Sequence, residues 1–425
     1  MSADEERTRD PVRITLTGVD RPGITAELAS ILADAGASLI DVQQMVVESQ
    51  LHLQFLVSLP GGECAARPVL KDVLWKAREL GLSVDFDFAP SLEARLGATP
   101  TWALTVLANP VTTELLATIA RTTHQSGFNI ERISRLSSTT LASAEFLLSG
   151  PVGEAERALR TGLVALREKF RCDLALQRET LTRRNKRLIV MDMDSTLIQQ
   201  EVIDELAVTL GVQDKVSEIT ERAMNGELDF DQSLRERVRL LKGTPQSALA
   251  DVLARIQLTP GAEQLVRILK RLGYRTAVIS GGFIEVVEPI RKQLGLDYAF
   301  ANTLEIENGV LTGEVLGTIV NRKRKAELLE SIARAERVEL DQVIAVGDGA
   351  NDLDMLHRAG LGIAFNAKRT VQEQAATAIN QQSLVSILYL LGMRDADTMA
   401  FEAPPESDEA RSPSLAPAPR AREGT

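Results

Sequence analysis

The chain has 425 residues, 44% of them hydrophobic and 25% charged, and a formal net charge of −11. The length predicts about three domains, and the acidic balance argues against a nucleic-acid-binding surface. No apolar run approaches the roughly 18 residues that suggest a membrane span, and residues 1–11 lack the apolar core of a secretion signal, so we expect a cytoplasmic protein with no membrane partner.

The cysteines and histidines form no pattern typical of a metal site or a disulfide framework. Cys64 and Cys172 lie far apart and outside any C-x-x-C spacing, which favours free thiols in a reducing compartment. His52, His124 and His357 show no ligand spacing. We expect these histidines to be structural or solvent-facing.

The first part of the chain contains a repeat at an offset of 91 residues, the separation of Ile14 from Thr105. The predicted elements of the two copies are a strand at 14–17 and 105–108, a helix ending at Gly36 and Gly127, a strand at 39–42 and 130–133, a strand around 55–56 and 146–147, a helix at 68–80 and 159–171, and a closing strand at 83–88 and 173–178. Each copy predicts the ferredoxin-like order βαββαβ. We therefore expect one domain over 12–90 and a second over 100–180, with a linker from Pro90 to Pro100.

The loop between the first strand and the first helix of copy one reads G-V-D-R-P-G-I over residues 18–24. It resembles the corresponding loop of the ACT family of amino-acid-binding regulatory domains. Gly23 would allow a close backbone approach at a helix N-terminus, where free N–H groups can hold a carboxylate. The resemblance makes Asp20 and Gly23 candidate effector-binding residues, although a tight turn that only starts the helix is an open alternative.

Copy two departs from this loop. Val111, Thr113 and Glu114 stand at the aligned positions, without a glycine. We expect copy two to be mainly structural or to contribute across a subunit interface.

From Lys186 onward, apolar strands alternate with helices, which is typical of a parallel α/β sheet. Asn308-Gly309 predicts a hairpin turn, and 202–258 a mostly helical insertion. Residues 394–425, rich in Pro, Ala, Ser and charge, predict a disordered tail. The candidate strands are 187–191, 275–279, 298–301, 342–346 and 362–365.

Asp192 and Asp194 follow directly on the apolar run 188–191, in the sequence D-M-D-S-T. Two carboxylates two residues apart at a strand end would project from one tight loop. Asp, Ser and Thr are also common where strands end in structural turns, because their side chains bond to nearby backbone. The pair alone leaves both interpretations open.

Three further elements follow predicted strands or begin a helix: Ser280-Gly281-Gly282, Lys325, and the segment G-D-G-A-N-D at 347–352. In a doubly wound sheet the carboxyl ends of the strands meet at one edge, so these elements would lie together with Asp192. Taken one at a time, the first has an ordinary interpretation as a glycine turn, the second as a solvated lysine and the third as an acidic surface loop. Together and in this order they favour a catalytic site.

This set resembles the haloacid dehalogenase superfamily of phosphohydrolases over residues 186–393. Within it, the stretches 192–207, which includes Glu201, and 224–243 are similar to motifs of the phosphoserine phosphatase family. Paired N-terminal ACT-like domains occur in some members of that family. The fold implied is a Rossmann-like parallel sheet with a helical cap, preceded by two ferredoxin-like ACT-type domains.

The resemblance implies a different catalytic role for each residue at the strand ends. Asp192 would be the nucleophile that forms an aspartyl-phosphate, and Asp194 the acid and then the base. Mg²⁺ would be held by Asp192, Asp348 and the backbone carbonyl of Asp194. Lys325 would add a second positive charge. Ser280 and Gly281 would hold phosphate oxygens, and Asn351 and Asp352 would orient water and substrate.

The cap would set specificity. Glu201 would pair with a substrate ammonium group and Arg237 with its carboxylate, while Met224 and Phe230 would form apolar walls. The alternatives are an exposed Glu201–Arg237 helix pair and ordinary packing of the two apolar residues. The implied substrate is O-phospho-L-serine.

Three functions remain open at this point. The first is phosphoserine hydrolysis as the final step of L-serine biosynthesis, with feedback through the ACT-like repeat. The second is hydrolysis or transfer of phosphate from another small phosphorylated metabolite. The third is an amino-acid sensor with a vestigial phosphatase core, against which the intact set of four motifs argues. A homodimer is expected from the resemblance alone.

Overall fold

The structure is a computed structural model that describes residues 11–60, 62–88, 99–138, 140 and 142–399, without the side chains of 62–66 and 224. Most of the expected linker, the tail beyond 399 and the side chain of Cys64 therefore lie outside the described residues. The chain divides into two units, residues 1–98 and 99–425.

The first unit is the first repeat domain. An antiparallel sheet in the order β2-β3-β1-β4 carries two helices, and apolar residues at every second strand position meet the helices in one core, such as Ile14, Leu53 and Leu28. This is the βαββαβ order expected for copy one. Its elements are β1 (Pro11–Val19), α1 (Ile24–Asp34), β2 (Ser38–Val47), β3 (Gln50–Ser58), α2 (Gly62–Glu79) and β4 (Ser83–Asp87).

The second unit begins with the second repeat domain, which has the same order and a sheet β6-β7-β5-β8. The opposite face of this sheet contributes Leu107 and Ala175 to the core of the α/β domain that follows. The elements are β5 (Thr101–Leu107), α3 (Thr113–Gln125), β6 (Asn129–Arg135), β7 (Ser143–Ser149), α4 (Glu154–Phe170), β8 (Asp173–Arg178) and the short α5 (Leu181–Arg184).

The predicted match of Ile14 with Thr105 is wrong by one residue. Ile14 pairs with Phe55, and the equivalent Phe146 pairs with Leu104. The buried helix positions keep the offset of 91, because Leu28 corresponds to Ile119. Copy two therefore has one extra residue between its first strand and first helix, which the sequence repeat hides because a loop tolerates insertion.

Both second helices begin earlier than predicted, at Gly62 rather than 68 and at Glu154 rather than 159. Pro68 lies inside α2, where it removes one helical hydrogen bond but does not end the helix.

The α/β domain is built on a seven-stranded sheet in the order β12-β11-β10-β9-β13-β14-β15, parallel except for β12. The strands are β9 (Leu188–Met191), β10 (Arg275–Phe283), β11 (Tyr298–Glu307), β12 (Val310–Leu316), β13 (Val343–Gly347), β14 (Leu361–Phe365) and β15 (Thr377–Ile379). The five predicted strands are confirmed; β15 was not predicted. Asn308 and Gly309 have φ of 51° and 77°, as a type I′ hairpin requires.

Helices cover both faces of this sheet. In chain order they are α6 (Val202–Leu210), α7 (Gln213–Met224), α8 (Phe230–Arg239), α9 (Ser247–Leu253), α10 (Ala262–Arg271), α11 (Ile284–Leu294), α12 (Arg322–Ala335), α13 (Leu353–Arg358), α14 (Arg369–Gln374), α15 (Ser386–Leu390) and α16 (Asp395–Met399). The first four, α6–α9, form the inserted cap between β9 and α10. No described helix is long and apolar enough to cross a membrane.

The expectation that disorder begins at residue 394 is wrong for its first residues. Residues 395–399 form α16, and Thr398 is buried. Asp395 accepts hydrogen bonds from the backbone and hydroxyl of Ser138, at 2.7 and 2.9 Å. These hydrogen bonds hold α16 against the second repeat domain. The polar composition alone predicted a disordered segment because composition does not show such contacts.

Candidate active site

The first two carboxylates stand where β9 ends. Leu188–Met191 is fully buried, and Asp192 makes one more sheet contact, from its N–H to the carbonyl of Val346 at 2.8 Å. The chain then turns sharply through Ser195, whose φ is +53°. Asp192 Oδ1 accepts from the N–H of Met193 at 2.7 Å. The turn therefore brings Asp192 and Asp194 to one edge of the sheet.

Asp194 is held on the side facing the cap. Its Oδ1 accepts from the N–H of Val202 at 3.0 Å, at the start of α6, and its Oδ2 from Ser280 Oγ at 3.0 Å. Burial raises the pKa of Asp194, and these two hydrogen bonds oppose the shift. The carboxyl group is thus fixed between cap and sheet.

Lys325 lies fully buried in the first turn of α12, with Nζ 2.8 Å from Asp192 Oδ2 and 2.7 Å from Asp352 Oδ1. Burial alone would lower the pKa of Lys325, but the two carboxylates raise it well above its usual value. Burial and Asp352 raise the pKa of Asp192, and Lys325 opposes that shift. The lysine is a permanent cation against the predicted nucleophile.

The carboxylates of Asp192, Asp348 and Asp352 place oxygens within 4.8 Å of one another. Thr196 Oγ1 donates to Asp348 Oδ1 at 3.2 Å. Burial, followed by the charge of Asp352, raises the pKa of Asp348 to about 7. Two of these three buried or half-buried acids, Asp192 and Asp352, contact the single ammonium group of Lys325. The oxygen donors and the remaining negative charge fit a hard divalent cation.

This group differs in one member from the predicted ligand set. The carboxylate of Asp352, which we expected only to orient water and substrate, lies in the group, although its Oδ1 contacts Lys325 at 2.7 Å; the carboxylate of Asp194 lies outside the group and accepts from Val202 and Ser280. Asp352 Oδ2 also accepts from the N–H of Gly349 at 3.0 Å. A metal contact through the backbone carbonyl of Asp194 stays a prediction.

The glycine loop at the end of β10 packs tightly against the acids. Ser280 Oγ, fully buried, accepts from the N–H of Gly282 at 2.8 Å while donating to Asp194. A Cβ on Gly282 would lie 2.9 Å from Asp194 Oδ2. A Cβ on Gly281 would lie 3.1 Å from Phe230 Cζ and 3.8 Å from Asn351 Nδ2. Glycine is needed here for close approach.

The cap brings Phe230, Glu201 and Arg237 to the same edge. Phe230 is the first residue of α8, after the Asp229 N-cap, and lies over Gly281. Glu201, exposed to the cleft, accepts from Ser195 Oγ at 2.8 Å. Arg237 is half-buried, and its Nε donates to the carbonyl of Ser233 at 3.3 Å. Met224 ends α7, and its side chain lies outside the description.

Glu201 and Arg237 influence each other without forming an ion pair. Burial lowers the pKa of Arg237, and Asp204, Glu201 and Asp194 oppose that shift. Partial desolvation of its carboxyl group by the surrounding protein, and then the charge of Asp194, raise the pKa of Glu201. Among the described ion pairs of 4.0 Å or less, none joins these two side chains. Both charged groups are therefore available to a ligand beside Asp194.

The two copies of the repeat differ where their first helix begins. In copy one Gly23, with φ of 98°, precedes α1, and no described side chain caps the helix. Asp20 is tied through its own N–H to the carbonyl of Ser49 at 2.8 Å. In copy two Thr112 accepts from the N–H of Leu115 at 3.2 Å. Copy one thus leaves its first N–H groups available.

Comparison with known proteins gives concordant results. A haloacid dehalogenase-like hydrolase model matches residues 186–360, and ACT domain models match 11–87 and 100–177. The phosphoserine phosphatase of Streptomyces coelicolor is 44% identical over 408 residues, which cover 94% of this chain and 98% of that protein. Phosphoserine phosphatase SerB2 of Mycobacterium tuberculosis is 40% identical over 392 residues, 92% and 95% of the two chains.

A solved structure agrees with the fold. The HAD family hydrolase t0658 from Salmonella enterica subsp. enterica serovar Typhi has a TM-score of 0.60 and 31% identity, covering 68% of this chain and 98% of that one. Together with the assembled acids, Lys325 and the glycine loop, these relationships exclude the vestigial-sensor interpretation. The chain belongs to the phosphoserine phosphatase family of haloacid dehalogenase-like hydrolases, with two ACT domains, and it is a phosphoric monoester hydrolase.

Proposed function

We propose that this enzyme hydrolyses O-phospho-L-serine to L-serine and phosphate. The observation that carries the proposal is the presence of two opposite charges, Glu201 and Arg237, beside Asp194 and without an ion pair between them. A phosphoamino acid carries the complementary ammonium and carboxylate groups. Arginine suits the carboxylate because its guanidinium can donate two parallel hydrogen bonds.

Phosphoryl transfer divides between the first two aspartates. The Asp192 carboxylate attacks phosphorus and the bond from phosphorus to the serine oxygen breaks, while Asp194 gives its proton to that oxygen. Asp194 then takes a proton from the water that attacks the aspartyl-phosphate, which releases phosphate and restores Asp192. Its position between the cap and Ser280 suits Asp194 to both transfers.

Three groups of this chain stabilise the transferred phosphoryl. Lys325 offsets charge on Asp192, and the Ser280 hydroxyl and Gly281 N–H hold phosphate oxygens. Asp192 and Asp348 would supply carboxylate ligands for Mg²⁺ and Asp194 its backbone carbonyl, while Asp352, close to the first two, would add negative charge beside the cation. The cation, when bound, would reduce the repulsion between a carboxylate nucleophile and an anionic substrate.

A substrate panel tests the proposal against its alternative, another small phosphorylated metabolite or transfer to an alcohol. Phosphate release is measured with phosphoserine, phosphothreonine, homoserine phosphate and glycerol phosphate, with and without glycerol as acceptor. We expect phosphoserine to have the highest kcat/KM, and to exceed glycerol phosphate, which lacks both the ammonium and the carboxylate, by at least about tenfold, one charged contact being worth that much. A flat profile would reject the proposed substrate.

We also propose that L-serine, the product and the end of its biosynthetic route, inhibits through the first ACT domain. The available N–H groups at Gly23 and Asp20 nearby support copy one as the site. In the full-length enzyme, Gly23→Val should abolish the serine inhibition that is not competitive with phosphoserine, while leaving kcat unchanged. Inhibition of that kind that persists in this variant would contradict the site. A homodimer and a cytoplasmic location remain predictions.

A further inference from the structure

Asn302 is a buried amide next to the active site that none of the sequence motifs includes. It lies in β11 opposite Phe283 of β10, and it is 1% exposed. Its Nδ2 donates to the carbonyl oxygen of Gly281 at 2.7 Å, and its Oδ1 accepts from the N–H of Val320 at 2.8 Å. One side chain thus joins two separate segments of the site.

The first contact fixes the glycine loop. The peptide between Gly281 and Gly282 is held at its oxygen by Asn302 and at its N–H by Ser280 Oγ. A glycine pair has no side chains to limit its backbone angles. The orientation of this loop, and of the Ser280 hydroxyl bonded to it, therefore depends on Asn302.

The second contact fixes the approach to Lys325. Val320 precedes Asn321, whose Oδ1 caps α12 by accepting from the N–H of Arg324 at 3.1 Å. The N–H of Lys325 then donates to the carbonyl of Asn321 at 2.9 Å. Holding Val320 therefore sets where α12 begins and where its lysine stands.

We propose that Asn302 is a positioning residue for phosphoryl transfer, which holds the phosphate-binding loop and the Lys325 helix at a fixed spacing. The proposal rests on the proposed function only in that the site transfers a phosphoryl group to Asp192. A purely structural amide would affect the stability of the fold and leave the kinetics of folded enzyme unchanged. A positioning amide would lower kcat, because a shift of about 1 Å in catalytic groups can cost about 100-fold.

Two substitutions separate these possibilities. Asn302→Asp keeps the acceptor for Val320 and replaces the donor to Gly281 with an oxygen, whereas Asn302→Ala removes both contacts. The matched control is Thr276→Val, at the amino end of β10, which removes another buried hydrogen bond, from Thr276 Oγ1 to Asp297 Oδ2 at 2.9 Å. Thermal unfolding shows whether each variant is folded at the assay temperature.

Steady-state kinetics are measured with O-phospho-L-serine and with p-nitrophenyl phosphate, which lacks the amino-acid groups. We expect both Asn302 variants to lose about tenfold to 100-fold in kcat on either substrate, with KM changed less than about threefold. Thr276→Val should keep the wild-type kcat. Folded Asn302 variants with kcat within twofold of wild type, or with a change in KM alone, would overturn the proposal.

The use of two substrates makes the test of Asn302 independent of the test of the proposed substrate. If the wild type hydrolyses p-nitrophenyl phosphate but not phosphoserine, the proposed substrate fails and the Asn302 comparison still holds. If Asn302→Asp unfolds, Asn302→Ala carries the kinetic comparison. If both unfold while Thr276→Val is folded and active, the amide is structural and the proposal is rejected.

Discussion

Arg237 should determine whether the enzyme recognises a substrate carboxylate, and Arg237→Ala tests this directly. In the structure the guanidinium is half-buried and makes one hydrogen bond, from Nε to Ser233 at 3.3 Å. The described ion pairs do not include it. A substrate carboxylate could therefore accept hydrogen bonds from the other guanidinium nitrogens of Arg237 without breaking an ion pair within the protein.

The size of the effect follows from this geometry. A hydrogen bond between charged groups contributes about 1.5–3 kcal/mol, which is about ten- to 150-fold in kcat/KM. We expect Arg237→Ala to lose that factor with phosphoserine. With O-phosphoethanolamine, which has the ammonium and phosphate but no carboxylate, the same variant should differ from wild type by less than about threefold.

The assay is phosphate release with both substrates for wild type, Arg237→Ala and a control. Arg222→Ala is the matched control, because Arg222 lies in the same cap but pairs with Glu227 and Glu236. An equal loss on both substrates would show that Arg237 supports the cap rather than the carboxylate. No loss on either would refute the assignment.

Three further predictions concern single residues of the α/β domain. Lys325→Met should lower kcat at least about 100-fold, since it removes the cation from Asp192; near-normal turnover would contradict this. Gly282→Ala should also lower kcat, because its Cβ would displace the carboxylate of Asp194, and an unchanged rate would disprove the close approach. Burial lowers the pKa of Lys186 to about 8 from 10.5, so the folded state disfavours its protonated form. The stability of wild type relative to Lys186→Met should therefore rise by about 3 kcal/mol between pH 8 and 10.5, measured by denaturant unfolding; a constant difference would contradict it.

The sequence predicted the structure correctly where an apolar strand pattern is followed by residues with a specific local role, such as a turn or a catalytic loop. The fully buried run before Asp192 and the glycine–aspartate loop after β13 both mark strand ends, and parallel strands bring such ends to one edge. The hairpin at Asn308-Gly309 was readable because its turn needs positive φ at both residues.

Features that depend on contacts between distant parts of the chain could not be predicted from the sequence. Asn302 lies inside a strand in the stretch F-A-N-T-L, and its importance depends on partners 18 and 21 residues away. The extra residue before α3 was hidden because a loop can absorb it. Helix α16 depends on Ser138, a contact across 257 residues. Composition alone cannot show such anchors.

The aspartyl-phosphate on Asp192 is the central intermediate of the proposed mechanism. Enzyme mixed with O-phospho-L-serine is quenched in acid within one turnover, digested, and the phosphate located by mass spectrometry. We predict one phosphoryl group on Asp192 in wild type and none in Asp192→Asn. Phosphate on another residue, or turnover by Asp192→Asn at the wild-type rate, would contradict the mechanism.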